Sequence, residues 1–230
     1  MKLIISDEIL NTYPDLSIGV IVANNINNDR NCNEIKKMLE EVQEKVKTKF
    51  NIDNISENFI IKKWRKIYSE FGSKPSDYKC SVEALIRSIL KGRNLRYINK
   101  VVDLYNVISL KHIIPAGGED LDYVKGNIYL KHAEGAEIFV PLNSELEENP
   151  YKGEIIYCDD RNNVLCRRWN WRESNVTKIT EKTKNVVLVL EGFDKNVEEA
   201  LLELSGLMKT FCKCHTKTYI IDKNTNKVEW

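Results

Sequence analysis

The chain has 230 residues, 42% hydrophobic and 30% charged, with 35 basic against 34 acidic side chains and a net charge of +1. That length buries a large core, as one big domain or two small ones. The even charge balance excludes a global electrostatic pull on nucleic acid, so any RNA partner has to be held by a local patch.

The opening MKLIISDEIL carries acids and no small-residue cleavage site, and no later apolar run is long enough to span a bilayer. A cytoplasmic protein without a membrane partner is expected. Two short apolar runs follow, 3–5 and 18–23, the second reading as a buried strand between Pro14-Asp15 and Asn24-Asn25. A helix over about 33–50 aligns Ile35, Met38, Leu39, Val42 and Val46, with Asn33 as its cap. Another over about 56–71 buries Ile60, Trp64, Ile67, Tyr68 and Phe71, and Gly72 closes it in a left-handed conformation. Ser81 caps a third helix that ends at Lys91-Gly92.

Residues 98–122, INKVVDLYNVISLKHIIPAGGEDLD, form the most informative stretch. At helical spacing Asn99, Asp103 and Asn106 share one face, opposite Val101, Val102, Tyr105 and Ile108. Solvated helix faces favour Lys, Glu and Gln, whereas Asn and Asp weaken helices by competing for the backbone. The stripe is either a hydrogen-bonding surface or merely an exposed face. Pro115-Ala116-Gly117-Gly118-Glu119-Asp120 then reads as a turn. It is either a simple tight turn or a cradle whose N–H groups converge on an anion or carbonyl.

Beyond it the period becomes alternating. Strands are expected at 128–131, 137–142, 154–158, 164–169 and 186–191, then a helix over 196–211 and a strand at 218–221. Helices in the first half and strands in the second indicate an α+β fold, with helices packed on a mostly antiparallel or mixed sheet. If Cys166 to Ser174 were one strand, Arg167, Trp169 and Trp171 would share a face, and Arg168, Asn170 and Arg172 the other. Trp and Arg together suit either a core with a solvated Arg ribbon or stacking on a base with guanidinium contacts to phosphate. Thr177, Thr180 and Thr183 are expected to bond backbone in turns. Glu191, ending the apolar strand VVLVLE, falls at the rim of a pocket.

Cys80, Cys158 and Cys166 read as small core residues. Cys212-Lys213-Cys214-His215 lacks a second pair at finger or ribbon spacing, so neither a metal nor another cofactor is expected. The sequence has no nucleophile elbow, no Walker loop and no dinucleotide fingerprint. An enzyme built this way works by positioning substrate and water.

Several motifs occur in a recognisable order. They are Trp64, Tyr68, Phe71 and Gly72; then Asn99 to Asn106; then Pro115 to Asp120; then Arg168-Trp169-Asn170-Trp171-Arg172; and finally Thr180-Glu181-Lys182-Thr183-Lys184-Asn185-Val186. Together they resemble the B3/B4 tRNA-editing domain of the bacterial phenylalanyl-tRNA synthetase β subunit, and its free-standing relatives most of all. The resemblance covers roughly residues 55–210. It implies a B3/B4-like domain over 55–230 with a strand-helix extension over 1–54 packed on it, or one continuous domain. It further implies an aminoacyl-tRNA deacylase acting in trans, in a pocket between helix and sheet. Asn106, Gly117 and Gly118 would orient the ester and its water, and Glu191 would read the amino-acid side chain. Trp169, Trp171 and Arg172 would meet the terminal adenosine, with Asn99, Asp103, Glu119, Asp120 and Asn170 completing the surface. The partner is then an aminoacylated tRNA. The alternative is a module that keeps the pocket without catalysis and holds a free amino acid or a related small molecule.

Overall fold

The computed structural model describes residues 1–193 and 195–230. Period-two alternation builds two sheets. The first has six strands in the order β10-β1-β4-β5-β6-β7: β1 (Lys2–Ile5), β4 (Ile128–His132), β5 (Ile155–Asp159), β6 (Val164–Arg167), β7 (Arg172–Glu173) and β10 (Lys227–Glu229). Its β1–β4 pair is parallel and the others antiparallel, so the sheet is mixed. The second is antiparallel, in the order β3-β8-β2-β9: β2 (Ser17–Asn24), β3 (Ala116–Asp120), β8 (Val186–Gly192) and β9 (His215–Ile221).

Alternation along β8 decides what each face of this second sheet meets. Val186, Leu188 and Leu190 join a core with α5 (Lys100–His112) and α6 (Asn196–Phe211), while Val187 packs into the core shared with the first sheet. The molecule is thus layered as sheet, sheet and helices. α2 (Asn33–Lys49) packs beside α5, and α3 (Phe59–Glu70) and α4 (Ser81–Leu90) adjoin the core between the sheets. Residues 1–54 enter both layers: β1 lies between β10 and β4, and β2 between β8 and β9. The α+β architecture expected from the sequence is the one observed. Among the described residues, no helix is long and apolar enough to cross a membrane.

Several local expectations are corrected. The cap of α3 is Asn58, which accepts from Ile60 N and Ile61 N at 3.1 and 3.3 Å; such a cap is worth about 1 kcal/mol. α2 and α4 begin one residue after Cys32 and Cys80, so Asn33 and Ser81 are first helical residues instead of caps. Gly72 and Gly92 close their helices with φ of +82° and +78°. Residues 137–142 form only isolated bridges, at Ile138, Phe139 and Pro141. Their neighbour Glu137 turns back to accept the Glu134 and Gly135 N–H groups and to pair with Lys131. Helix α1 (Asp7–Thr12) and strand β10 were not foreseen.

Candidate functional site

Gly117 and Gly118 do not form a turn. They lie in β3, an edge strand, paired with Val189 and Leu188 of β8. Neither has a left-handed φ, and in an extended strand successive N–H groups point to opposite sides, which removes the expected cradle. What the glycines supply is close approach. A Cβ on Gly117 would lie 2.6 Å from Glu173 Oε1, and one on Gly118 would strike Leu188 and the Val187 carbonyl. Because the pleat alternates, Gly117 and Glu119 share the face of Val187, Val189 and Glu191.

That face closes a small cavity between the two sheets, about 30 Å³ as traced by water centres. Glu119, Glu173 and Glu191 all line it, together with Ser81, Cys166 and Trp169. A water needs about 10–15 Å³ by this measure, so the space suits one or two waters and no amino-acid side chain. On the α5 side of β3 lies a broader groove of about 430 Å³, bordered by Asn99, Val102, Tyr105, Lys178 and Ile179. Gly118 and Glu173 border both spaces.

Glu191, 1% exposed, is fully engaged. Its Oε1 accepts from the Tyr157 hydroxyl at 2.5 Å and from Trp169 Nε1 at 2.8 Å, and its Oε2 accepts from Asn170 Nδ2 at 2.7 Å. Burial raises its pKa, and the three donors pull the other way. Asn170 in turn accepts from the Tyr68 hydroxyl at 2.9 Å.

Trp169 is not part of a straight strand, which corrects the expected faces at 166–174. The chain reverses between β6 and β7, with Arg168 and Trp169 at φ of +46° and +65°. Left-handed backbone at two bulky residues costs about 1–3 kcal/mol each unless the surroundings hold it. Here Trp169 N donates to the Ile155 carbonyl, and the indole is 0% exposed against Trp64 (5.2 Å, edge-on) and Tyr13 (5.4 Å). Arg168 is buried over the rings of Tyr78 and Trp171, at 3.7 and 4.6 Å. Arg167 grips Glu154 through two 2.8 Å bonds and Glu148 through one of 3.0 Å. Both guanidinium groups are therefore occupied within the chain. Arg172 is exposed and Trp171 half-buried against Tyr78, away from the cavity.

The hairpin also delivers Glu173, which the sequence reading passed over. Pairing with Cys166 turns it into the cavity, where it faces Glu119. Burial pushes Glu119 well above the usual carboxylate range, reinforced by the like charge of Glu173. Burial likewise raises Glu173 to about 7. Glu119 Oε2 and Glu173 Oε2 are both buried without a hydrogen-bond donor, and the raised affinity of the two facing carboxyls for protons fits a pair that titrates as a unit.

Residues 63–206, well over half of the chain, match the B3/4 domain. The chain belongs to the B3/4 domain family. The match contains the whole carboxyl pair, the hairpin and Glu191. A similar solved structure is an N-terminal fragment of the phenylalanyl-tRNA synthetase β subunit from Pyrococcus horikoshii, with 17% identity and a TM-score of 0.48. The alignment covers 93% of this chain and 50% of that one, so the chain spans about half of the fragment's length. No curated protein sequence matches the chain.

Within this B3/4 chain the expected site residues divide. Gly117, Gly118, Glu119, Trp169, Asn170 and Glu191 meet at the cavity, and Asn99 borders the groove. Asn99 caps α5 through Val102 N (3.0 Å) and donates to the Ile179 carbonyl (3.3 Å), holding one groove wall. Asp103 is 0% exposed and accepts from Ile98 N at 2.8 Å; burial raises its pKa to about 6. The polar stripe is therefore no solvated face. Asp120 accepts from the Thr183 hydroxyl at 2.6 Å and pins the segment before β8. Asn106 is half-buried and lies outside both spaces. Tyr157, Cys166 and Ser81 join the site without a sequence motif to announce them.

Proposed function

We propose that this B3/4 protein hydrolyses, in trans, the ester of a misacylated tRNA. The observation that carries the reading is a broad groove ending on a buried carboxyl pair, within the residues that match the B3/4 domain. Arg30 and Lys178 border the groove and suit the phosphates of a nucleotide end, and Tyr105 offers an aromatic wall. The N–H of Asp120 turns away from β8 to the Thr177 carbonyl, so that of Gly118, two residues earlier, leaves the same edge of β3. A donor at that edge is suited to a developing oxyanion. A carboxyl poised near neutrality beside it takes a proton from water efficiently at physiological pH. Incubation with Tyr-tRNA and a panel of other mischarged tRNAs tests the reading, and ester loss no faster than in buffer on every member refutes it.

A second reading is a module that binds a free amino acid without catalysis. It is favoured by Glu191, whose oxygens are already engaged by Tyr157, Trp169 and Asn170, and by a groove of about 430 Å³ that has room for a small ligand. A rise in melting temperature with free amino acids, in a protein that leaves every ester intact, distinguishes it.

A further inference from the structure

The antiparallel sheet ends in β3 on one side, beside the groove, and in β9 on the other. All seven residues of β9 pair with β2 in unbroken register, from Asn24↔His215 to Ile18↔Ile221. Among the described residues, no other group bonds to the backbone of this strand. Half of the N–H and C=O groups of an antiparallel strand point away from its neighbour, so the outer row of β9 is an open template. Thr216, Thr218 and Ile220 lie on the α6 side of the sheet, opposite Ala23, Ile21 and Gly19. α6 is fixed above them at two points: Ser205 Oγ bonds Thr216 Oγ1 at 2.7 Å, and Leu201 packs on Gly19. Thr218 stands midway between these points, level with Leu202. One flank of α6 faces α5, where Glu203 contacts Lys111 and His112. The flank that carries Ser205 overhangs β9, and at helical spacing it also carries Glu198, Leu202 and Lys209. Leu202 is 61% exposed there, and Glu198 and Lys209 are exposed without an ion-pair partner among the described residues.

We propose that β9 and this flank of α6 form the interface of a homodimer, in which a second copy of the chain continues the sheet across a twofold axis at Thr218. The axis sets Thr218 against its own copy and Lys217 against the partner's Tyr219, so no like charges meet in the ladder. A register centred on Lys217 would instead set two ammonium groups face to face, the repelling role that lysine ordinarily has on an edge strand. The same rotation lays the two α6 helices antiparallel. Leu202 then meets its own copy, and the acidic end of each flank, at Glu198, approaches the basic end of the other, at Lys209. A flank that is acidic at one end, apolar in the middle and basic at the other is complementary to itself when antiparallel; a parallel copy opposes acid to acid. That self-complementarity selects a second copy over an unrelated strand. β3 and the groove lie at the opposite edge, so both grooves of the dimer stay open. The dimer is independent of whether the chain hydrolyses an ester.

Sedimentation velocity of the full chain, from micromolar to submillimolar concentration, should show a species of twice the chain mass whose share grows with concentration. Leu202→Glu sets two carboxylates together at the axis; it should weaken association at least about tenfold and leave the circular dichroism unchanged. Lys209→Glu should weaken association as well, and adding Glu198→Lys to it should restore the dimer. The register is read by cross-linking, because the six native cysteines are buried and an added surface thiol is the reactive one. With oxidised glutathione, Thr218→Cys should give a disulfide-linked dimer, since directly opposite Cα atoms lie about 5 Å apart. Lys217→Cys, offset from its own copy by two positions and so more than about 7 Å away, should not. A monomer at every concentration overturns the proposal. So does a dimer indifferent to Leu202→Glu, or one that both cysteine variants cross-link equally.

Discussion

Replacing Glu173 by Gln isolates the electrostatic cost of the carboxyl pair. In the folded chain Glu173 holds its proton up to about pH 7, against an ordinary value of 4.5. Between these two pH values the unfolded chain binds fewer protons than the folded one, so stability falls as pH rises through the window. Each tenfold difference in proton affinity is worth about 1.4 kcal/mol, so the loss between pH 4 and pH 8 is at most about 3 kcal/mol. In the variant, an amide donor faces Glu119 in place of a like charge, and this loss should disappear. Asp103, also raised by burial, falls off in the same direction but does so in both proteins, so it cancels in the comparison. Urea unfolding followed by tryptophan fluorescence at pH 5, 6, 7 and 8 measures the difference. The variant should gain on the parent steadily as pH rises and be the more stable of the two at pH 8. Parallel profiles would show that the two carboxyls do not titrate as a unit.

Four other substitutions test the surroundings. In Gly117→Ala the new Cβ would lie 2.6 Å from Glu173 Oε1, so the carboxylate must shift; the pH profile should flatten toward that of Glu173→Gln, read by the same urea series. Trp169→Phe keeps one aromatic ring but removes the pyrrole ring with its N–H, leaving Glu191 Oε1 with one donor fewer and a void in the core, and should cost about 3 kcal/mol or more in urea unfolding at pH 7. Arg167→Ala strands buried Glu154 and should cost about 3–5 kcal/mol, whereas exposed Arg172→Ala should stay within about 0.5 kcal/mol in the same measurement.

Much of the fold could be read from periodicity, because long elements bury one face. The strand at 186–191, the helix over 196–211 and the left-handed glycines 72 and 92 all stand where the pattern implies. The site was legible only in part. Glu191 and Glu119 face inward because each alternates with apolar or glycine neighbours on a strand, a signal that a sequence carries. Glu173 carries no such signal. It enters the cavity because Arg168 and Trp169 take a left-handed backbone, and local propensity argues against that at Arg and Trp. The same reversal defeated the strand reading of 166–174. Gly117-Gly118 misled for a related reason: paired glycines usually mark a turn, but here they allow β3 to press against β8 and Glu173. Asn106 shows the limit of a helical stripe, which fixes the face of a side chain but not what lies opposite.

The central claim is hydrolysis, and the rate of ester loss from mischarged tRNA tests it most directly. With Tyr-tRNA and the wider panel in excess over protein, the account predicts at least one mischarged tRNA losing its amino acid faster than in buffer, through many turnovers per protein molecule. Decay at the buffer rate for every ester in the panel would contradict it.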